Sequence, residues 1–165
     1  MKTRGNVPLP SKAYPNDFCY DVVAVSEEEI APNVWKYGLG LCFQIERAPE
    51  TIVISTCYHG GQKKYHCTYM DFSRSPIVLD IDLRPRSSVW KTGMVLSCCI
   101  GTIDEAFTGE ASAIFYHVMT QMPRYKVGDR IGQIKLGFSL PIEWEEVENL
   151  NDTDRGSNGY GSTGK

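Results

Sequence analysis

VLDIDL, residues 78–83, alternates apolar and acidic side chains, with Leu79, Ile81 and Leu83 on one face and two aspartates on the other. Alternation with a period of two is typical of a β-strand that has one buried and one exposed face. IKLGF, residues 134–138, repeats this pattern, whereas helical periodicity is scarce. Many short strands bounded by turn residues predict an all-β sandwich or barrel. The further β-rich runs are CYDVVAV, VWKYGLGLCFQI, ETIVISTCY, GMVLSCCI and EASAIFYHVM.

One short helix is predicted outside this β pattern. It follows Pro85 and covers residues 87–91, where Ser87 or Ser88 could act as its N-cap.

The composition describes an ordinary globular protein. With 165 residues, 42% of them hydrophobic, the chain is long enough for one domain with a sizeable core. The formal net charge of −3 argues against a nucleic acid or an acidic membrane as the main partner. The first residues form no apolar segment, and no run is long enough to span a membrane. We therefore expect a cytoplasmic protein whose six cysteines are reduced thiols.

The polar C-terminal stretch has the most unusual composition. From about Glu148 the chain loses its apolar pattern, and residues 155–165 read RGSNGYGSTGK. Glycines let the backbone bend around a ligand, while the arginine, hydroxyls and tyrosine ring could bind phosphates and stack on a base. The alternative is a solvated Gly/Ser tail. We expect residues 148–165 to form a mobile arm that follows a globular domain at 1–147.

Two internal segments could bind anions. RPRSS, residues 84–88, combines arginines and hydroxyls at the predicted start of a helix, although an ordinary capped helix has the same composition. GDRIGQ, residues 128–133, predicts a turn followed by a strand. There Gln133 could donate to a phosphate, and Asp129 and Arg130 could form an ion pair on the surface.

Two aspartates are candidates for chemistry. IGTIDEAFTGE, residues 100–110, predicts a hairpin in which Asp104 could deprotonate a water and Phe107 could pack on a sugar. Asp and Gly are also common turn residues, which leaves an ordinary hairpin open. Asp21 lies within a strand-like run, where it could bind a metal through water or bond to backbone at a sheet edge.

The order of these segments carries a family resemblance. Asp21, PRSS, GTIDxxFxGE, GDRIGQ and RGSxGYGSTG resemble, in this order, the five motifs of the trimeric deoxyuridine triphosphatases (dUTPases), from about Asp17 to the end. The resemblance implies a jelly-roll β-barrel of the β-clip type, assembled as a homotrimer. It also implies three active sites between subunits, each closed by the swapped C-terminal arm of a neighbour.

The resemblance further implies a reaction, the hydrolysis of dUTP to dUMP and pyrophosphate, which keeps uracil out of DNA. Asp104 would activate a water for attack on the α-phosphorus, and Mg²⁺ would bridge the phosphates, with Asp21 linked to it through water. Tyr160 would stack on uracil, and Phe107 would pack under the deoxyribose. The implied substrate-binding residues are Arg86, Ser87, Ser88, Cys98, Gly101, Ile103, Phe107, Gln133, Arg155, Gly159, Tyr160, Gly161, Ser162 and Thr163.

Some residues depart from the family pattern. Cys98 replaces the usual Asn, so uracil would be read mainly by backbone groups of the hairpin. Phe107 stands where Tyr is usual and keeps the ring. Phe18 and Cys19 replace small residues near Asp21, which would alter the local turn.

The segment at about 46–76 is also longer than is usual in the family, and we call it the insertion. It contains Cys57, His59, His66 and Cys67, which would be either a zinc set or incidental residues of an extended hairpin. The insertion could bind a regulatory protein partner.

Two alternatives to the dUTPase stay open. One is a nucleotide-binding regulator of a protein partner, and the other is a related dCTP deaminase.

Overall fold

The structure is a computed structural model that describes residues 7–48, 51–58, 61–68, 78–139, 142, 144–149, 152–154 and 156. The regular secondary structure of this part of the chain is almost entirely β-strand, as the alternating sequence pattern predicts. Its strands are β1 (Tyr20–Val23), β2 (Ser26–Ala31), β3 (Val34–Gly38), β4 (Cys42–Ala48), β5 (Thr51–Tyr58), β6 (Gly61–Thr68), β7 (Val78–Pro85), β8 (Met94–Leu96), β9 (Gly101–Asp104), β10 (Ser112–His117) and β11 (Arg130–Ser139).

The strands form three antiparallel sheets. The first sheet has the order β1-β11-β7-β9, the second β2-β3-β10-β8, and the third β4-β5-β6. Residues of the first and second sheets meet in one hydrophobic core. Leu79, Ile81 and Leu83 of β7 are each 3% exposed or less, whereas Asp80 and Asp82 lie on the opposite face. The all-β prediction and the predicted burial of β7 are therefore confirmed.

Aromatic rings fill the second-sheet side of the core. Tyr37 packs edge-on against Phe115 and Tyr125, with ring centroids 5.9 and 6.3 Å apart. The Tyr37 hydroxyl donates to the carbonyl oxygen of Tyr125 at 2.8 Å, so its polar group is satisfied inside the core. This packing fixes β3 and β10, and β10 is the strand that follows the segment carrying Asp104 and Phe107.

Several strand boundaries differ from the sequence prediction. The run GMVLSCCI is a strand only over β8, because residues 97–100 form a turn. β2 was not predicted, since its sequence SEEEIA has no alternating apolar pattern. β2 is an edge strand of the second sheet, held by its ladder to β3 while most of its residues face solvent. β6, with the sequence GQKKYHCT, was missed for the same lack of alternation.

The predicted helix exists in a tighter form. Ser87–Thr92 is a 3-10 helix, and the residue before it is Arg86, with φ −74° and ψ 153°. Capping by Ser87 or Ser88 was wrong: both serines lie inside the first turn, and no side chain caps the helix. No helix in the described ranges is long and apolar enough to cross a membrane.

The third sheet accounts for most of the predicted insertion. β4 starts in the core, where Leu41 and Phe43 flank its first residue and are 1% and 5% exposed. It then pairs with β5, which pairs with β6. The insertion is thus a three-stranded meander rather than a single hairpin.

The register of this meander separates the residues of the suggested zinc set. Cys57 pairs with Gln62, whereas His66 pairs with Val53, so the two positions are four residues apart along the ladder. Four residues span about 13 Å, farther than two ligands of one zinc ion. His59 lies outside the described residues. Within the described residues, no group of three or more His, Cys, Asp or Glu could hold a metal ion.

Gly137 of β11 makes room for an acidic side chain of the neighbouring strand. Gly137 pairs with Asp80, and a Cβ at Gly137 would overlap the Asp80 carboxylate. Asp80 Oδ1 is buried, and no described residue forms a hydrogen bond with it. Burial raises the pKa of Asp80, as do the charges of Asp82 and Asp104, while Lys135 opposes them. The glycine is therefore needed at this position because the carboxylate occupies the side-chain space.

We predict that Gly137→Ala lowers the free energy of unfolding by about 1–3 kcal/mol, the usual cost of overpacking. Adding Asp80→Ala should recover most of this loss, because it removes the group that the new methyl would meet. Urea denaturation followed by circular dichroism measures both. Equal effects of Gly137→Ala with and without Asp80 would contradict the steric explanation.

Candidate functional site

Asp21 is a buried carboxylate on which three side chains converge. It lies on β1 and is 5% exposed. Arg86 Nε and Gln133 Nε2 donate to its Oδ1, both at 3.1 Å, and Arg130 Nη1 donates to its Oδ2 at 3.1 Å. The donors come from the segment after β7 and from β11, so one carboxylate joins three parts of the chain. We call Asp21, Arg86, Arg130 and Gln133 the Asp21 cluster.

The cluster keeps Asp21 ionised. Burial raises the pKa of Asp21, but hydrogen bonds from Gln133 and Arg130 and the charge of Arg86 outweigh it, so the pKa lies below the ordinary value. The carboxylate in turn orients the guanidinium of Arg86 and the amide of Gln133. These are two of the residues for which the sequence predicted phosphate contacts, and the structure places them side by side.

Arg130 belongs to this cluster although the sequence pattern suggested another partner. The predicted Asp129–Arg130 pair is not formed: Arg130 bonds to Asp21, while Asp129 Oδ2 accepts from the Lys126 backbone N–H at 2.8 Å and closes the turn before β11. Neighbouring residues at the start of a strand point in opposite directions, which disfavours their pairing. That rule could have excluded the Asp129–Arg130 pair from the sequence alone.

A second group of predicted site residues lies on a single turn–strand–turn segment. Cys98 is exposed in the turn before β9, Gly101 and Ile103 belong to β9, and Asp104 ends it. Asp104 is exposed, and its carbonyl oxygen accepts from the Phe107 N–H at 2.9 Å, which closes the next turn. The predicted strand and turn are confirmed here, but the predicted hairpin is wrong: β9 pairs with β7 of the first sheet, whereas the next strand, β10, belongs to the second sheet.

Phe107 lies in the connection between β9 and β10. It is 47% exposed, and its ring covers Gly109 so closely that a Cβ there would lie 2.7 Å from Phe107 Cζ. Glu110 fixes the end of this connection, because its Oε1 accepts a hydrogen bond from the Gly40 N–H at 2.9 Å. The exposed face of the ring therefore offers an apolar surface on which a ligand can pack.

The Asp21 cluster and Asp104 lie far apart within one chain. They occupy the two edge strands of the first sheet, β1 and β9, which three strand spacings separate. Asp21 pairs with Gln133, whereas Asp104 is aligned through Asp80 with Gly137, four residues farther along β11. Spacings of about 4.8 Å between strands and 3.3 Å between residues put the two groups about 19 Å apart. No single small reacting group can touch both.

The remaining predicted residues belong to the 3-10 helix and to the C-terminal arm. Ser87 is exposed and Ser88 half-buried in the 3-10 helix next to Arg86. The predicted arm residues Arg155, Gly159, Tyr160, Gly161, Ser162 and Thr163 lie outside the described residues. Between residues 144 and 156, the described part of the predicted arm contains no helix or strand.

A cavity of about 430 Å³ lies elsewhere, on the outer face of the second sheet. None of the residues predicted to bind substrate lines it. The lining residues are Ser26, Glu27, Glu28, Lys36, Gly38, Glu110 and Ser112. Three glutamates against one lysine give this lining a net negative charge that does not suit a polyphosphate, so we place the candidate site at the two residue groups described above.

Sequence comparison decides the family of this chain. A sequence profile described as dUTPase matches residues 67–164, which is more than half of the chain. The chain belongs to the dUTPase family. The matched range contains Arg86, Asp104 and Gln133, while Asp21 precedes it. The resemblance drawn from the motifs is thereby confirmed.

Relatives of this chain agree with that assignment. The deoxyuridine 5'-triphosphate nucleotidohydrolase of Finegoldia magna is 40% identical over 86 residues, which cover 52% of this chain and 60% of that protein. The match thus spans about 60% of the length of this curated relative.

Two solved structures share the fold of this chain. The dUTPase of Staphylococcus bacteriophage 80alpha, solved with dUPNHPP, has 18% identity and a TM-score of 0.60, over 98% of this chain and 94% of that chain. A mutant dUTPase from phage phi11 of S. aureus, described with a structural Mg(II) ion, has 15% identity and a TM-score of 0.50, over 90% of this chain and 94% of that chain. At these identities the likeness concerns the fold, and it confirms the jelly-roll prediction.

The magnesium ion that the family implies can be linked to the Asp21 carboxylate through a water molecule. A carboxylate offers about four acceptor positions, and three of these receive donors from the cluster. The remaining position on Oδ2 suits a water of a hydrated ion. This donor set fits Mg²⁺, which keeps several waters and binds mainly to substrate phosphates.

We predict that Asp21→Asn lowers the free energy of unfolding at pH 7 by about 1–3 kcal/mol, because charged hydrogen bonds to a buried group are lost. The native pKa of Asp21 lies below the unfolded value of about 3.9, so its stabilisation is complete above that value and is lost as the pH falls through the native pKa. Wild type and variant should therefore converge in acid.

Urea denaturation between pH 7 and pH 3 tests this dependence. Asp152→Asn, at an exposed position, serves as the control and should leave the pH curve unchanged. A constant difference between wild type and Asp21→Asn over the whole range would contradict the ionised cluster.

Proposed function

We propose that this dUTPase-family protein hydrolyses dUTP to dUMP and pyrophosphate, the reaction of a dUTP diphosphatase. The convergence of Arg86 and Gln133 on the buried Asp21 carries this proposal, since it prepares two donors for a polyphosphate. The name of the Finegoldia magna relative supports it. The cellular consequence would be a supply of dUMP and the exclusion of uracil from DNA.

The Asp21 cluster would bind the triphosphate. Asp21 occupies the Nε–H of Arg86, which leaves the two NH₂ groups to donate to phosphate oxygens in a fixed direction. Gln133 holds its amide against the same carboxylate, and Ser87 and Ser88 follow Arg86 directly. A bound Mg²⁺ would neutralise phosphate charge, with Asp21 reaching it through water. The cluster itself orients the substrate and does not react.

Asp104 would act as the general base. Its carboxylate is exposed at the end of β9, where it can accept a proton from a water that attacks the α-phosphorus. Phe107 would pack under the deoxyribose and leave no space for a 2′-hydroxyl. The backbone of Gly101 and Ile103, with Cys98, would face the uracil edge. The arm residues, with Tyr160 over the base, would close the site and exclude water.

A complete site would require more than one copy of the chain. The phosphate-binding cluster and the water-activating carboxylate are on opposite edges of the first sheet, about 19 Å apart. Joining the β9 edge of one copy to the β1 edge of the next is a head-to-tail contact, and such contacts close into a ring when the rotation permits. A homotrimer with three equivalent sites satisfies this geometry. Each site would then combine Asp104 of one subunit with Arg86 of another.

The alternatives from the sequence are separated by chemistry. A dCTP deaminase would release ammonia, and the dUTPase profile match disfavours it. A regulatory role is compatible with hydrolysis, since phage dUTPases, with that of phage 80alpha among them, are described as controlling transfer of virulence genes. The β4–β6 meander would be the surface for such a partner. The intact Asp104 favours catalysis as the primary function.

We predict that Asp104→Asn lowers kcat for dUTP by about 10²–10⁴-fold, the usual contribution of a general base, while binding of a non-hydrolysable dUTP analogue stays within a few-fold. Pyrophosphate release measures turnover, and calorimetry measures binding. Assays of dUTP, dCTP, dTTP and UTP for pyrophosphate and ammonia define the substrate.

Asp82→Asn is the matched control on the same sheet face, because Arg84 and Thr102 already bond to that carboxylate. It should leave turnover within a few-fold of wild type. Undiminished turnover by Asp104→Asn would reject the role of Asp104.

We also predict that two inactive variants restore activity when their chains assemble together. Co-expressed Arg86→Ala and Asp104→Asn chains should recover about a quarter of the wild-type sites, because random mixing pairs an intact Asp104 with a neighbour's intact Arg86 in that fraction. Co-expressed Arg86→Ala and Gln133→Ala chains, both damaged in the Asp21 cluster, should stay at the level of the variants alone. Equal rates for the two mixtures would contradict a site shared between copies.

A further inference from the structure

Two adjacent cysteines occupy the turn that leads into β9. Cys98 and Cys99 are both exposed free thiols, and they precede Asp104, the last residue of β9, by only six and five positions. The proposed reaction uses neither thiol as a reacting group. In the described part of the chain, no other two cysteines are consecutive.

The backbone at this pair is sharply bent. Cys99 has φ +57°, the left-handed region that residues with a Cβ seldom adopt. Its N–H donates to the Leu96 carbonyl at 3.3 Å, and the Ile100 N–H donates to the Cys98 carbonyl at 2.5 Å. The second bond closes a three-residue turn centred on Cys99, a rare and strained form for a non-glycine residue.

This bend removes the usual separation of neighbouring side chains. In an extended strand, consecutive side chains point to opposite faces, which keeps adjacent thiols apart. The turn replaces that alternation, and both thiols are exposed to solvent together. The ends of the turn are fixed, because Ser97 N–H donates to the Ile114 carbonyl at 2.9 Å and Gly101 pairs with Leu83. Both thiols are therefore exposed within one tight turn whose ends are fixed.

We propose that Cys98 and Cys99 form a reversible modification site, which a small disulfide such as oxidised glutathione converts into a disulfide between adjacent residues. One cysteine sulfur attacks the oxidant and releases one thiol, and the second cysteine then displaces the other thiol from the mixed disulfide. The S–S bond of the oxidant breaks and a protein S–S bond forms. Two electrons and two protons pass from the cysteines to the oxidant, which leaves as two thiols.

The expected bond is labile because of its geometry. Consecutive Cα atoms are about 3.8 Å apart across a trans peptide, shorter than the roughly 4.4–6.8 Å of ordinary disulfides. Strained and exposed disulfides are more easily reduced than structural ones, and these are the ones used for regulation. The site would thus respond to the ratio of oxidised to reduced thiols rather than stay permanently closed.

Oxidation would act on recognition of the base. The Cys98 sulfur lies over Gly101, since a Cβ on Gly101 would be 3.5 Å from Sγ. Closing the ring would reshape residues 98–100 next to the strand that faces uracil in the proposed complex. This effect on substrate, unlike the modification itself, rests on the proposed function. Oxidation should raise KM for dUTP more than it lowers kcat.

Mass spectrometry of the protein in glutathione buffers tests the modification without reference to activity. The peptide that contains both cysteines should lose two hydrogen atoms under oxidising conditions and regain them with dithiothreitol. Cys98→Ser and Cys99→Ser cannot close the ring and serve as matched controls, which should form only glutathione adducts. Free thiols or mixed disulfides alone in the wild type would overturn the proposal.

Kinetics then test the consequence for the substrate. KM for dUTP should rise about tenfold on oxidation, the size expected for a lost hydrogen bond to the base, and should return on reduction. Both serine variants should show no redox dependence. Ring formation with an unchanged KM would overturn the link to base recognition. Absence of dUTP hydrolysis in the reduced protein would reject the proposed function while leaving the mass measurement valid.

Discussion

The carboxylate of Asp21 is the interaction on which the arrangement of the candidate site depends. It is almost completely buried, and it is stable there only because three donors surround it. Those donors belong to segments 65 to 112 positions away in the sequence, so the charge also fixes how β1, β7 and β11 approach one another. Removing it would leave two arginines without their shared acceptor at the edge of the first sheet. The contacts of Asp21 therefore both stabilise the fold and orient the side chains proposed to bind the ligand.

The sequence predicted most of what local patterns control. The alternation in β7 predicted its buried face, and the turn residues after Asp104 predicted the turn there, although not that β9 and β10 belong to different sheets. The prediction that a serine caps the 3-10 helix was wrong. A helix that starts one residue earlier or later has nearly the same composition, so the sequence does not show which residue is the N-cap. β2 was missed because an edge strand can be held by its ladder alone, without an apolar face.

The parts that could not be predicted from local patterns depend on pairing between distant strands. Nothing near Arg130 indicates that its partner is Asp21, since this contact exists only once β1 lies beside β11. The distance between the Asp21 cluster and Asp104 likewise follows from the strand order β1-β11-β7-β9. The register gives the proposed sharing of sites between copies a physical reason, since the two groups of proposed site residues lie on opposite edges of one sheet.

The course of β4 has a consequence for how the chain can vary. Its first residues are fixed by the core next to Phe43, and Ile45 packs only partly against that core before the strand continues into the meander. Lengthening a connection costs little closure entropy, about 0.6 kcal/mol for each doubling of its length. Descendants of this sequence can therefore exchange, extend or shorten the outer strands without rebuilding the barrel, which makes the meander a region where new specificities can evolve at small thermodynamic cost.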